Sequence, residues 1–145
     1  MSFELSAGLA RKDFVCDLPF CRVLLEDNAD FPWIILVPRK ADTKNMCALT
    51  TDERLTLMRE IEVCEKAMVE LFHPTQTNVA MIGCKTVQLH VHIICRYKGD
   101  MYWPDTIWDR PSRTYISLIK DATIEKIKKE IQNQCQKLQY SFRPV

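Results

Sequence analysis

The sequence predicts an α+β fold: an antiparallel sheet of about five strands with two amphipathic helices packed on it. Three observations carry that expectation. Strand-sized runs at 14–26, 33–37, 78–83, 87–96 and 115–119 either alternate apolar with polar residues or are apolar throughout. Two longer stretches, 51–72 and 123–138, repeat apolar residues every three or four positions, the period of a helix lying on a core. Short connections between neighbouring runs make antiparallel pairing the simplest arrangement.

Residues 1–13 show no pattern and read as a loosely docked segment or a short helical turn. From Phe14 to Glu26, Cys21, Val23 and Leu25 alternate with Arg22, Leu24 and Glu26, which predicts a strand. Asp27-Asn28-Ala29-Asp30 is a turn, because Asp and Asn hydrogen-bond their own backbone. Trp33-Ile34-Ile35-Leu36-Val37 is apolar on both faces, as in a central strand covered from two sides, and Pro38 stops it. After a loop at 41–49, Thr50 and Glu53 have capping-box spacing, so a helix begins at about Thr51. Its stripe is Leu57, Ile61, Cys64, Met68 and Leu71, and it ends near Phe72, before His73-Pro74. His73 there is expected to serve the helix C-terminus rather than catalysis. Asn78 to Gly83 forms a short strand that turns at Cys84-Lys85 into 87–96. A long loop, 98–113, carries Met101, Tyr102, Trp103 and Trp108, aromatic and apolar groups suited to roof a pocket or to seal one end of the core. Tyr115 to Ile119 reads as a further strand, and Ile124, Ile127, Ile131, Cys135 and Leu138 mark the second helix, capped by Asp121 or Thr123.

A chain of 145 residues with 47% hydrophobic content suits one compact domain over 1–145. Its net charge of +1 sets up no field that would attract nucleic acid or an anionic membrane. No apolar run reaches the length of a bilayer span, and the first residues lack the basic start and apolar run of a secretory signal. Seven cysteines, an odd number with no Cys-x-x-Cys pair, read as reduced thiols of a cytoplasmic protein.

The chemistry concentrates in 87–96. Val87, Leu89, Val91 and Ile93 fall on one face of the predicted strand, which puts Gln88, His90 and His92 in a row on the other. Polar groups under cover cost free energy unless they are met, so that row either faces solvent or lines a site, and the aromatic loop nearby favours a site. A neutral imidazole attacks phosphorus through one ring nitrogen when the other donates its proton to a fixed acceptor. His90 at the centre of the strand has the rigidity for that role. His92 would hydrogen-bond a phosphate oxygen or the leaving group, and Gln88 would assist as a neutral donor that supplies no proton. Two histidines alone do not make a zinc site, which needs three or four ligands, and no spacing nominates the others; no metal and no cofactor are expected.

The run Gln88-Leu89-His90-Val91-His92-Ile93-Ile94 resembles the signature of the histidine triad (HIT) family, His-φ-His-φ-His-φ-φ with φ apolar, with glutamine in place of the first histidine. The resemblance extends to Asn78 and Gly83 upstream and Trp103-Pro104 downstream. It implies a HIT-like fold, a homodimer, and a nucleotide hydrolase or nucleotidyl transferase, akin to diadenosine polyphosphate hydrolases. Such an enzyme cleaves a phosphoanhydride, phosphoramidate or phosphoester bond at the α-phosphate through a nucleotidyl intermediate on His90. The implied substrate is a nucleotide or dinucleoside polyphosphate, with Asn78 on the phosphates, Asp27 or Asn28 on the ribose, and Trp103 at the pocket. The family's usual Gly-Gln-Ser/Thr run reads Gly83-Cys84-Lys85 here, so Lys85 would replace a phosphate-binding side chain by charge. The alternative is a nucleotide-binding protein of the same fold with weak catalysis.

Overall fold

The computed structural model describes residues 2–140. A short helix α1 (Ala7–Ala10) leads into strands β1 (Asp13–Asp17), β2 (Cys21–Leu25) and β3 (Trp33–Pro38), followed by a long helix α2 (Thr51–Phe72). Strands β4 (Gln76–Ala80) and β5 (Val91–Arg96) come next, and helix α3 (Ser117–Lys137) closes the order. The five strands form one antiparallel sheet in the order β1-β2-β3-β5-β4, so the α+β architecture is as expected.

The sheet is covered on both faces, and alternation along its strands decides which residues go where. Val23, Leu25, Ile34, Leu36, Val91, Ile93 and Cys95 join Leu57, Cys64 and Met68 of α2 and Ile127 and Ile131 of α3 in the larger core. The intervening residues Leu24, Trp33, Ile35, Val37 and Ile94 form a second cluster with Leu9, Phe31 and Ile107, against which Tyr102 and Trp108 of the long loop pack. Every residue of β3 and β5 is buried, which explains why β3 is apolar throughout. The same burial makes the polar residues of β5 conspicuous.

Helix α2 begins as its capping box dictates: Thr50 Oγ1 accepts from Glu53 N at 3.1 Å, and Glu53 Oε1 accepts from Thr50 N at 2.7 Å. It ends at His73, whose backbone is left-handed (φ 47°) while its N–H still donates to Val69 O. The buried carboxylate of Glu60 on this helix accepts from Phe20 N (2.9 Å), Cys21 N (2.6 Å) and Tyr140 Oη (2.6 Å), and so ties the β1–β2 turn and the end of α3 to the core. All seven cysteines are free thiols. Among the described residues no helix is long and apolar enough to cross a membrane.

Three expectations are corrected. The run 14–26 is two paired strands, because the chain turns back at Leu18-Pro19-Phe20 and proline can donate nothing to a ladder. The ladder of β5 starts only at Val91, since the Leu89 N–H is taken by Thr43 O at 2.9 Å, outside the sheet. Tyr115–Ile119 is not a strand. Helix α3 starts at Ser117, so Asp121 and Thr123 lie inside it, and the Thr123 hydroxyl donates back to Ile119 O at 2.7 Å. The first turn of α3 leaves Leu118 and Ile119 in solvent, which is why an apolar run there misled the strand assignment.

Candidate functional site

Alternation along β5 sends His92, Ile94 and Arg96 to the face opposite α2 and α3, and His90 continues that row from the extended approach just before the strand. Both histidines are buried, and their ring centroids lie 4.8 Å apart. They line a cavity of about 400 Å³ together with Trp33, Trp108, Lys12 and Glu26. Lys85 and Asp109 form an exposed ion pair at its rim, 2.6 Å apart.

Hydrogen bonds assign a distinct state to each ring. His90 Nδ1 lies 2.6 Å from the Gln88 main-chain oxygen. A carbonyl oxygen only accepts, so Nδ1 carries the proton and Nε2 holds a free lone pair. His92 Nδ1 lies 2.9 Å from Trp33 Nε1, and an indole N–H only donates, so here Nδ1 is the acceptor and the proton sits on Nε2. Burial, then the neighbouring His90 ring and the Lys12 ammonium, pull the His92 pKa down to about 3. His92 is thus a neutral donor. Trp108 packs edge-on against both His92 (4.8 Å) and Trp33 (5.4 Å) and walls the pair on that side. Neither Nε2 has a hydrogen-bond partner among the described residues, and neither is a buried orphan, so both keep some exposure to solvent. Also among the described residues, no group of three or more His, Cys, Asp or Glu is placed to hold a metal ion.

The other sequence-predicted residues divide sharply. Lys85 stands at the cavity. Gln88 offers its carbonyl, but its side chain turns to the N-terminal segment, accepting from Ser6 N and donating to Glu4 O, both at 2.9 Å. Asn78 shares the face of His92 but lies opposite Ile94, two residues along, where Oδ1 accepts from Arg96 Nη1 at 3.1 Å. Trp103 also serves Arg96, whose guanidinium lies 5.9 Å from its ring centroid. Asn28 is buried and closes its own turn by accepting from Asp30 N and Phe31 N. Asp27 accepts from Tyr115 N at 2.8 Å and faces Lys120. The acids that do line the cavity are Asp109, ion-paired with Lys85, and Glu26, one residue before Asp27 and ion-paired with Lys12. Sequence reasoning did not single out Trp33, Lys12 or Glu26. A signal existed for Trp33, since an indole N–H buried in a strand needs an acceptor. None existed for Lys12.

These features define a class: an antiparallel-sheet protein that presents a His-x-His pair at an open cavity, one ring with its proton on Nδ1 and the other with its proton on Nε2. The chain belongs to the HIT family, whose HIT domain model matches residues 8–99. Among solved structures it is similar to a histidine triad protein from Bradyrhizobium japonicum, with 30% identity, a TM-score of 0.87, and 90% of this chain and 99% of that one covered. A histidine triad protein from Marinobacter aquaeolei VT8 is alike to the same degree, with 30% identity, a TM-score of 0.87, and 92% and 99% covered. The diadenosine triphosphate hydrolase of Plasmodium falciparum, solved with cyclomarin A, shares the fold at 17% identity, with a TM-score of 0.56 and 98% and 87% covered. A search of curated proteins found no match.

Proposed function

We propose that this protein is a nucleotide hydrolase or nucleotidyl transferase that cleaves a phosphoanhydride, phosphoramidate or phosphoester bond at the α-phosphate through a nucleotidyl intermediate on His90. The observation that carries this reading is the bond from His90 Nδ1 to the Gln88 carbonyl, which leaves Nε2 as a nucleophile open to the cavity beside the Nε2–H of His92. The Nε2 lone pair of His90 forms a bond to phosphorus, and the bond to the leaving group breaks with its electron pair. The ring becomes a phosphorylated imidazolium whose Nδ1–H goes on donating to the Gln88 carbonyl. Water or another acceptor then attacks phosphorus, the N–P bond breaks, the pair returns to Nε2, and the acceptor's proton passes to solvent.

Lys85 and Lys12 are the cations near the phosphates, and Glu26 is the carboxylate available to a ribose hydroxyl. Asn78, Asp27, Asn28 and Trp103 act one layer out, by holding Arg96, the turn after β2 and the long loop. In solution we read the protein as a cytoplasmic homodimer of one HIT-like domain over 1–145, with no resident metal or cofactor. The test is single turnover with an α-³²P-labelled dinucleoside polyphosphate. An acid-labile, hydroxylamine-insensitive adduct should form on the native protein and be absent in His90→Ala. A nucleotide that binds without ever giving the adduct would instead identify a binding protein.

A further inference from the structure

We propose that Trp33 is a positioning residue that holds His92 as the neutral Nε2–H tautomer, so that the site favours leaving groups that depart as stable anions, a phosphoanhydride over a phosphoramidate. The inference rests on the reading of His90 as nucleophile. It adds what the second histidine is able to do.

The geometry is specific. Trp33 is buried at the start of β3, in register with Ile94 of β5, and its indole N–H reaches across to His92 Nδ1 at 2.9 Å. Protonating Nδ1 would set two N–H groups against each other in a buried place, which is costly. The groups facing His92 do not offset that cost: the His90 ring lies 4.8 Å away, Lys12 is cationic, Glu26 is ion-paired with Lys12, and Asp109 with Lys85. With Nδ1 occupied, His92 has one proton to share, on Nε2, and giving it up outright would leave an imidazolate. It therefore hydrogen-bonds the departing atom without protonating it.

That restriction selects among leaving groups. When His90 Nε2 bonds to the α-phosphorus of an anhydride, the P–O bond breaks and its electron pair leaves on a phosphate oxygen, an anion stable at neutral pH. A hydrogen bond from His92 suffices there. When the broken bond is P–N, the departing amine must take a proton as the bond breaks, and general-acid help of that kind contributes about 10²–10⁴ in rate. The Trp33 bond withholds it.

The experiment has two arms on the full chain. The first is ¹⁵N NMR of the imidazoles, which needs no turnover. Native protein should show His92 as the Nε2–H tautomer at neutral pH and unprotonated at pH 5, and Trp33→Phe should raise its titration and mix its tautomers. The second compares kcat/KM for diadenosine triphosphate and adenosine 5′-phosphoramidate. Native protein should prefer the anhydride by about tenfold or more, and Trp33→Phe, which leaves part of His92 without its Nε2 proton, should lower kcat for that substrate. His92 protonated on Nδ1 in the native protein, or equal use of both substrates by it, overturns the proposal. If Trp33→Phe fails to fold, the native tautomer and the native preference still decide. A correct tautomer with neither substrate turned over sinks the hydrolase reading, and the leaving-group preference with it.

Discussion

Replacing Gln88 by Ala separates a chemical account of this residue from a structural one. As a strand neighbour of His90 it should touch phosphate. In the structure its amide instead spans Ser6 N and Glu4 O, each at 2.9 Å, and only its main-chain oxygen serves His90. A net hydrogen bond is worth about 0.5–1.5 kcal/mol, so two at this half-buried position give an expected loss of about 1–3 kcal/mol. That loss should appear as a lower urea midpoint, with the Ser6 amide losing its protection from hydrogen exchange. Because alanine keeps the carbonyl on His90, kcat should stay within about threefold of native. A side chain that donated to the transition state would cost about 10²–10³ in kcat. A hundredfold fall in kcat with an unchanged urea midpoint would therefore refute the structural account and restore Gln88 to the chemistry.

Three other outcomes are expected. His90→Ala should lower kcat by at least about 10³-fold, whereas His73→Ala, at the exposed end of α2, should leave it nearly intact; equal losses would break the assignment of the nucleophile. Glu60→Ala should lower the unfolding free energy by about 2–4 kcal/mol in chemical denaturation, since Phe20 N, Cys21 N and the Tyr140 hydroxyl lose their acceptor; an unchanged midpoint would show that water replaces the carboxylate. Burial works against ionisation of Asp100, but Arg96 and the N–H groups of Tyr97 and Tyr102 outweigh it and bring its pKa down to about 2. A depressed carboxylate contributes stability above its unfolded pKa of about 3.9 and loses it as pH falls toward 2. The fluorescence of Trp103 and Trp108 should report this loop loosening between pH 4 and 2, and a native acid profile in Asp100→Asn would count against it.

How much could be read in advance varied with the range of the interaction. The capping box Thr50/Glu53 and the stripe from Leu57 to Leu71 are local, and α2 runs over Thr51–Phe72 as they require. The apolar run 33–37 and the alternation around 91–96 named the two central strands. At 115–119 local pattern misled, because an exposed first turn of a helix is free to carry apolar residues that no core demands. Asn78 and Trp103 were chosen for their place beside a motif, yet the buried guanidinium of Arg96, two turns of pleat from His92, claims both.

Taken alone, the order of residues determined the fold class, the helix that caps itself, and the pairing of His90 with His92 on one face, because each depends on periodicity within a few positions. Only tertiary structure decided what state each ring is in. The Gln88 carbonyl and the Trp33 indole lie 2 and 59 positions away in sequence, each meets its imidazole through a single directional hydrogen bond, and no spacing rule records which way such a bond points.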